Sequence, residues 1–200
     1  MVTGANLKEA EFQKIYDSFQ PKILRYLTRM VGEYEAKDLT QEVFVKISRA
    51  MKTFRNESSL STWIYRIATN TALDRLRSPD YKQTVNEAPA LETEDLNLWT
   101  GKKTPPIDQQ LIRKEMNECI RGLVEKLPED YKTVLVLGEF EGLKNSEIAK
   151  ILGITIETVK IRLHRARAKM KKELEGHCSF YRDERNELAC DKKTTLIKFR

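Results

Sequence analysis

The chain has 200 residues and a formal net charge of +6, from 36 Lys and Arg against 30 Asp and Glu. That length holds one or two domains, and the charge favours a polyanionic partner. No apolar run approaches a membrane span, the opening MVTGANLKEAEFQK lacks the basic-then-apolar order of a signal peptide, and three cysteines are too few for a disulfide scaffold, so a cytoplasmic protein without membrane insertion is expected.

Eight Gly, six Pro and little strand-like alternation place the chain in the all-α class. Leu7 to Met30 reads as one helix or two, with Phe12, Ile15, Tyr16, Phe19, Ile23, Leu24 and Leu27 buried. Pro21 can mark the first turn of a second helix, and Gly32 ends the unit. Glu35 to Lys52 is the next helix: Leu39, Val43, Phe44 and Ile47 form its stripe, and Asp38, Gln41, Glu42 and Lys46 its polar face. The loop Phe54 to Thr62, FRNESSLST, carries turn and N-cap residues. A helix from Thr62 to Arg77 follows. Trp63, Ile64, Ile67, Ala68, Ala72, Leu73 and Leu76 face inward, and Arg66, Asn70, Asp74, Arg75 and Arg77 outward.

Ser78-Pro79 breaks that helix, and no period persists through 78–106. This stretch reads as a linker long enough to let two domains sit apart. Within it acidic residues, Glu87, Glu92, Glu94 and Asp95 among them, slightly outnumber basic ones. A helix resumes over Ile107 to Val124, and another over Glu129 to Phe140, ended by Gly142.

Asn145 to Lys172 carries the strongest signal. Ile148, Ala149, Ile151 and Leu152 give one short helix an apolar face, and Gly153 suits its left-handed C-cap. Thr155 or Glu157 starts a second helix, where Val159, Leu163, Ala166 and Met170 fall four, three and four apart. Its other faces are basic. Two helices held by a glycine turn, the second apolar on one stripe and basic elsewhere, make a helix-turn-helix whose second helix lies in a DNA major groove.

Beyond Gly176, CSFYRD and ELACDK read as two strands of a hairpin that brings Cys178 near Cys190. His177 adds a third potential metal ligand, and Cys119 a fourth only if the fold brings it close. An ordinary hairpin with reduced thiols is preferred, so neither metal nor cofactor is expected.

AKDLTQEVFVKI, then FRNESSLSTWIYRIATNTALDRLR, then LPEDYKTVLVLGEFEGLKNSEIAKILGITIETVKIRLHRARAKM, resembles a bacterial sigma factor of the sigma-70 family, of the small extracytoplasmic-function type. The resemblance covers roughly Leu7 to Leu174 outside the linker. It implies region 2 over 7–77, a linker over 78–106, region 4 over 107–175 and a separate tail over 176–200. It implies binding to core RNA polymerase through Asp38, Gln41, Glu42 and an exposed Phe44. It implies reading of the melted minus-ten element by Asn56, Ser58, Ser59, Arg66, Asn70, Asp74 and Arg77, with Arg75 a further phosphate holder and Trp63 more a core residue than a stacking one. It implies reading of the minus-thirty-five duplex by Lys160, Ile161, His164 and Arg165, with Arg162 and Arg167 on phosphates. Ile161 departs from the family, where a small hydroxyl residue is common, and His164 is equally readable as a surface histidine. The partners implied are core polymerase, promoter DNA and an anti-sigma factor, the protein being a monomer when free.

Two other functions compete. A free-standing helix-turn-helix repressor or activator needs a dimer surface or ligand domain, and the Trp-containing helix with its Asn-rich loop argues instead for strand melting. A metal-dependent nuclease using Asp38 and Glu42 lacks a third carboxylate or histidine nearby, so no enzyme is expected.

Overall fold

The computed structural model describes residues 4–51, 54, 57–81, 107–182 and 188–192. The elements run α1 (Gly4–Val31), α2 (Glu33–Ala50), α3 (Leu60–Arg77), α4 (Ile107–Glu125), α5 (Glu129–Leu135), a π-helical turn (Val136–Phe140), α6 (Asn145–Leu152), α7 (Ile156–His177), β1 (Cys178–Arg182) and β2 (Leu188–Lys192). The fold is all-α with one terminal hairpin, as expected.

α1 is one continuous helix, with Pro21 inside it on the exposed side. The carbonyl one turn back, which loses its donor, therefore faces water. Further along, Ile23, Tyr26, Leu27 and Met30 are fully buried, and this packing sets the direction of α1. Gly32, at φ 86°, turns the chain into α2 from the left-handed half of backbone space. α1, α2 and α3 pack on one another. Ser59 caps α3: its hydroxyl accepts from the Thr62 N–H at 3.1 Å. Arg75 fastens α3 to α2 through two bonds to Glu35, at 2.7 and 2.8 Å.

In the second unit α7 lies against α4, α5 and α6. The π turn follows α5 without a break, its i→i−5 spacing seen in the Glu141 N–H to Val136 carbonyl bond of 3.1 Å. Gly138 sits where α7 comes closest: a β-carbon there would stand 3.2 Å from a Leu163 methyl. The hairpin strands are antiparallel, with Cys178 opposite Lys192 and Phe180 opposite Cys190.

The two units do not sit apart. α3 packs on α6, and α1 touches the π turn and α4, so one continuous apolar cluster runs through both. The linker beyond residue 81 lies outside the described residues, including Glu87, Glu92, Glu94 and Asp95.

Polar contacts reinforce this docking. Lys132 is buried, and its ammonium donates to the Met30 carbonyl at 2.7 Å, capping the C-terminal end of α1 across the junction. Desolvation lowers its pKa, with Glu125 opposing in part. Tyr81 donates to the neighbouring Val31 carbonyl at 3.0 Å. Glu141, at the end of the π turn, accepts from Arg29 at 2.9 Å and from the Tyr65 hydroxyl at 2.6 Å. Arg29 also stands 5.1 Å from the Phe140 ring. Burial lowers the Arg29 pKa against the pull of Glu141, and raises that of Tyr65 well above its ordinary range.

Candidate nucleic-acid interface

The turn of the helix-turn-helix is built from local chemistry. The Glu147 carboxylate accepts from the Lys144 N–H at 2.9 Å and secures the start of α6. Gly153, at φ 65°, ends α6 in the left-handed conformation, its N–H donating to the Ala149 carbonyl. Thr155 then caps α7 by accepting from the Thr158 N–H at 3.1 Å. Val159, Leu163, Ala166 and Met170 are the buried stripe of α7.

That stripe fixes what α7 presents outward. Lys160, His164 and Arg165 are exposed, and Ile161 is 52% exposed. Ile161 and Arg165 also border a shallow cleft with Asp130 and Tyr131 at the start of α5. Arg162 and Arg167 are less available. Arg162 pairs with Asp130 at 2.7 Å, and Arg167 donates to Glu139 at 2.9 Å. Both carboxylates come from the α5–π segment, so a phosphate competes with them for these arginines.

On α3, Arg66, Asn70, Asp74 and Arg77 are exposed and fall on one stripe at spacings of four, four and three. Trp63 begins the same stripe, half-buried, its ring 4.9 Å from that of Phe54. It packs on the core and also lines an open cleft with Phe54, Glu57, Ser58, Arg66 and Lys150. A flat aromatic edge beside Arg66 offers stacking and charge to an unpaired base. Ser58 is therefore in the cleft, while the hydroxyl of Ser59 is engaged as the α3 cap. Asn56 lies outside the described residues. Arg75 is half-buried and commits its Nε–Nη2 edge to Glu35, which leaves it less available to a phosphate than the exposed arginines of the stripe.

On α2, Asp38, Gln41 and Glu42 are exposed, and Glu42 pairs with Lys46 at 2.7 Å. Phe44 corrects the sequence reading: it is 3% exposed and not a surface anchor. Tyr16 and Phe12 of α1 meet its ring edge-on, at 4.8 and 6.5 Å between centroids.

Sequence reasoning missed the second unit's hold on α3. Lys150, from α6, sits at the cleft beside Trp63, and Glu129 takes Arg77 at 2.6 Å. Both ends of the α3 stripe thus meet side chains from across the junction. Neither residue carries a local signal, since each reads as a solvated charge on a helix.

Known proteins match this arrangement. Family models for Sigma-70 region 2 and for Sigma-70, region 4 match residues 15–80 and 117–170. The RNA polymerase sigma-H factor of Pseudomonas aeruginosa is 35% identical over 170 residues, covering 82% of this chain and 86% of that protein. The ECF RNA polymerase sigma factor SigW of Bacillus subtilis is 35% identical over 168 residues, covering 82% and 88%. Among solved structures, the sigma factor RpoE of Bartonella quintana, in complex with the anti-sigma factor NepR, shares the fold at TM-score 0.61 and 19% identity, covering 82% of this chain and 97% of that one. CnrH, in complex with the cytosolic domain of CnrY, does so at TM-score 0.59 and 20% identity, covering 84% and 90%. With both region models in order and relatives at this identity along most of its length, the chain belongs to the sigma-70 family of RNA polymerase sigma factors, in its extracytoplasmic-function group.

Proposed function

We propose that this protein binds core RNA polymerase, directs it to particular promoters and takes part in opening them, with no catalysis of its own. The observation that carries this reading is the pairing, in one chain, of two nucleic-acid faces of different chemistry. α7 presents Lys160, Ile161, His164 and Arg165 as a basic, groove-sized edge suited to duplex DNA. α3 presents an Asn, an Asp and cations beside an aromatic cleft, which suits an unstacked single strand. Arg162 and Arg167 serve phosphates in competition with Asp130 and Glu139. The exposed Asp38, Gln41 and Glu42 on α2 supply the polymerase contact, without Phe44.

The same reading gives region 2 over 7–77 and region 4 over 107–175, and an anti-sigma factor as regulator, the partner that the similar solved structures carry. Among the described residues no helix is long and apolar enough to cross a membrane, and action in the cytoplasm belongs to the proposal. Transcription from a promoter library with core polymerase, with and without the protein, tests it. Initiation at a defined promoter set only when the protein is present is the expected result. Binding of duplex DNA with no dependence of initiation would replace this reading with a free-standing regulator.

A further inference from the structure

The sequence places Cys178 near Cys190 across the tail hairpin, with both thiols expected to be reduced. The strand register does not favour that pair. Cys178 lies opposite Lys192 and Cys190 opposite Phe180, so the two cysteines are diagonal neighbours. Diagonal positions in an antiparallel pair stand about 7–8 Å apart. A disulfide usually needs α-carbons within about 4.4–6.8 Å.

The fold instead brings Cys178 to Cys119. Their sulfur atoms are 3.5 Å apart, across 59 positions of sequence. Cys178 is the C-cap of α7 and the first residue of β1, its N–H donating to the Leu174 carbonyl. Cys119 belongs to α4, which touches both α7 and β2. Both thiols therefore stand on packed elements. Their environments differ: Cys178 is 2% exposed, whereas Cys119 is half-buried and open to a small solute.

We propose that Cys119 and Cys178 form an oxidisable dithiol, a site of reaction with hydrogen peroxide whose product is a disulfide joining α4 to the α7–β1 junction. The Cys119 sulfur attacks the peroxide O–O bond, giving a sulfenic acid and one water. The Cys178 sulfur then attacks the sulfenic sulfur, the S–O bond breaks, and the hydroxyl leaves as a second water with the Cys178 proton. Two thiols lose two electrons and two protons, and one peroxide becomes two waters. Closing the bond requires the sulfurs to approach from 3.5 Å to about 2.0 Å, a shift that side-chain rotation and a small slide of α4 supply. The bond encloses α5, α6 and all of α7, so the whole helix-turn-helix lies within the covalent loop. Transient disulfides of this kind are the usual form in reducing compartments.

The test uses the full chain, reduced, freed of reductant and treated with hydrogen peroxide, followed by peptide mapping without reduction. The expected product links the Cys119 and Cys178 peptides. Cys190→Ser should leave that link intact, while Cys119→Ser and Cys178→Ser each abolish it. A sulfenic-acid trap should then label Cys119 in the Cys178→Ser chain. If Cys178→Ser fails to fold, the Cys119→Ser and Cys190→Ser chains still decide the matter. The oxidised protein should melt at least about 5 °C higher than the reduced one, reversibly with dithiothreitol, because the loop constrains the unfolded chain. A dominant link from Cys190 to either other cysteine, or no intramolecular link at all, overturns the proposal.

Discussion

Glu141→Gln is the sharpest probe of how the two units are held together. The substitution keeps shape and one acceptor oxygen but removes the charge facing Arg29. In the docked state the Glu141 side chain is 6% exposed and that of Arg29 15% exposed. Removing one partner of a buried ion pair costs about 3–5 kcal/mol, most of it the penalty on the charge left behind. Here the penalty is smaller. Arg29 keeps the Phe140 ring at 5.1 Å, the glutamine oxygen still accepts from Tyr65, and some water reaches the guanidinium. About 2 kcal/mol remains, or about 30-fold in the docking equilibrium. Arg29 is on α1 and Glu141 follows α5, so both are solvated when the units part and the whole effect falls on docking. A compact 200-residue chain has a radius of gyration of about 16–17 Å. Small-angle scattering of Glu141→Gln should show a larger value and a broader distance distribution than the parent. Arg29→Met combined with Glu141→Met should restore part of the compaction that either change alone removes. If Glu141→Gln leaves the scattering curve unchanged and the double change adds the two single effects, the pair does not hold the units together.

High pH should weaken the fold through Tyr26 and Tyr65, whose pKa values burial raises. A raised value means stability fully present below the ordinary tyrosine pKa of about 10 and lost above it, at about 1.4 kcal/mol per pH unit for each group. Lys132, lowered by burial, works the opposite way up to its ordinary value near 10.5, so the steep loss should begin above that. Denaturant titrations between pH 9 and 12 would show it, and Tyr65→Phe should about halve the slope; an unchanged slope would locate the effect elsewhere. Asp38→Arg with Glu42→Arg should abolish capture by core polymerase and leave the melting curve within about 0.5 kcal/mol, since both are exposed. Unfolding of that variant would mean these carboxylates are structural. In α7, Arg165→Ala should cost about 1 kcal/mol more sequence discrimination than Lys160→Ala, because a guanidinium holds its two donors to guanine in a rigid fork and an ammonium is a point charge on a flexible stem. Selection from a randomised minus-thirty-five library reads this directly, and equal losses would place Arg165 on the backbone.

What the sequence made legible was whatever depends on short spacing. The α7 stripe at Val159, Leu163, Ala166 and Met170, the Gly153 turn and the two tail strands are set by residues within a few positions of one another, and the fold has them as read. The misreadings share one cause. Phe44 reads as a possible anchor until Phe12 and Tyr16, nearly thirty residues upstream, cover it. Arg75 reads as a phosphate ligand, whereas the fold commits its Nε–Nη2 edge to Glu35. Lys132, Glu141 and Lys150 carry no local signal at all, and only the meeting of the two units gives them partners or a cleft. A helix period tells which face is apolar. It cannot tell which polar face another unit will cover.

That meeting has a consequence for the order of events at a promoter, on the function proposed above. The outward edge of α7 is exposed while the units are docked, so duplex DNA can be met without any rearrangement. The α3 stripe is different. Arg77 is held by Glu129 at one end and Lys150 stands at the Trp63 cleft at the other, while Asn70 and Asp74 between them are exposed. A single strand that engages Arg77 and the Trp63 cleft together competes with Glu129 and meets Lys150, and parting the units removes both. If the open form is a fraction f of the population, single-strand affinity is reduced by that fraction. Duplex affinity is not. Glu141→Gln should therefore raise binding of a minus-ten single strand by up to about 30-fold and leave minus-thirty-five duplex binding where it was. Both affinities measured on the same chain separate this from a general loosening. Equal gains for the two DNA forms would mean that docking hides neither face, and that the contacts of Lys150 and Glu129 with α3 are incidental to access.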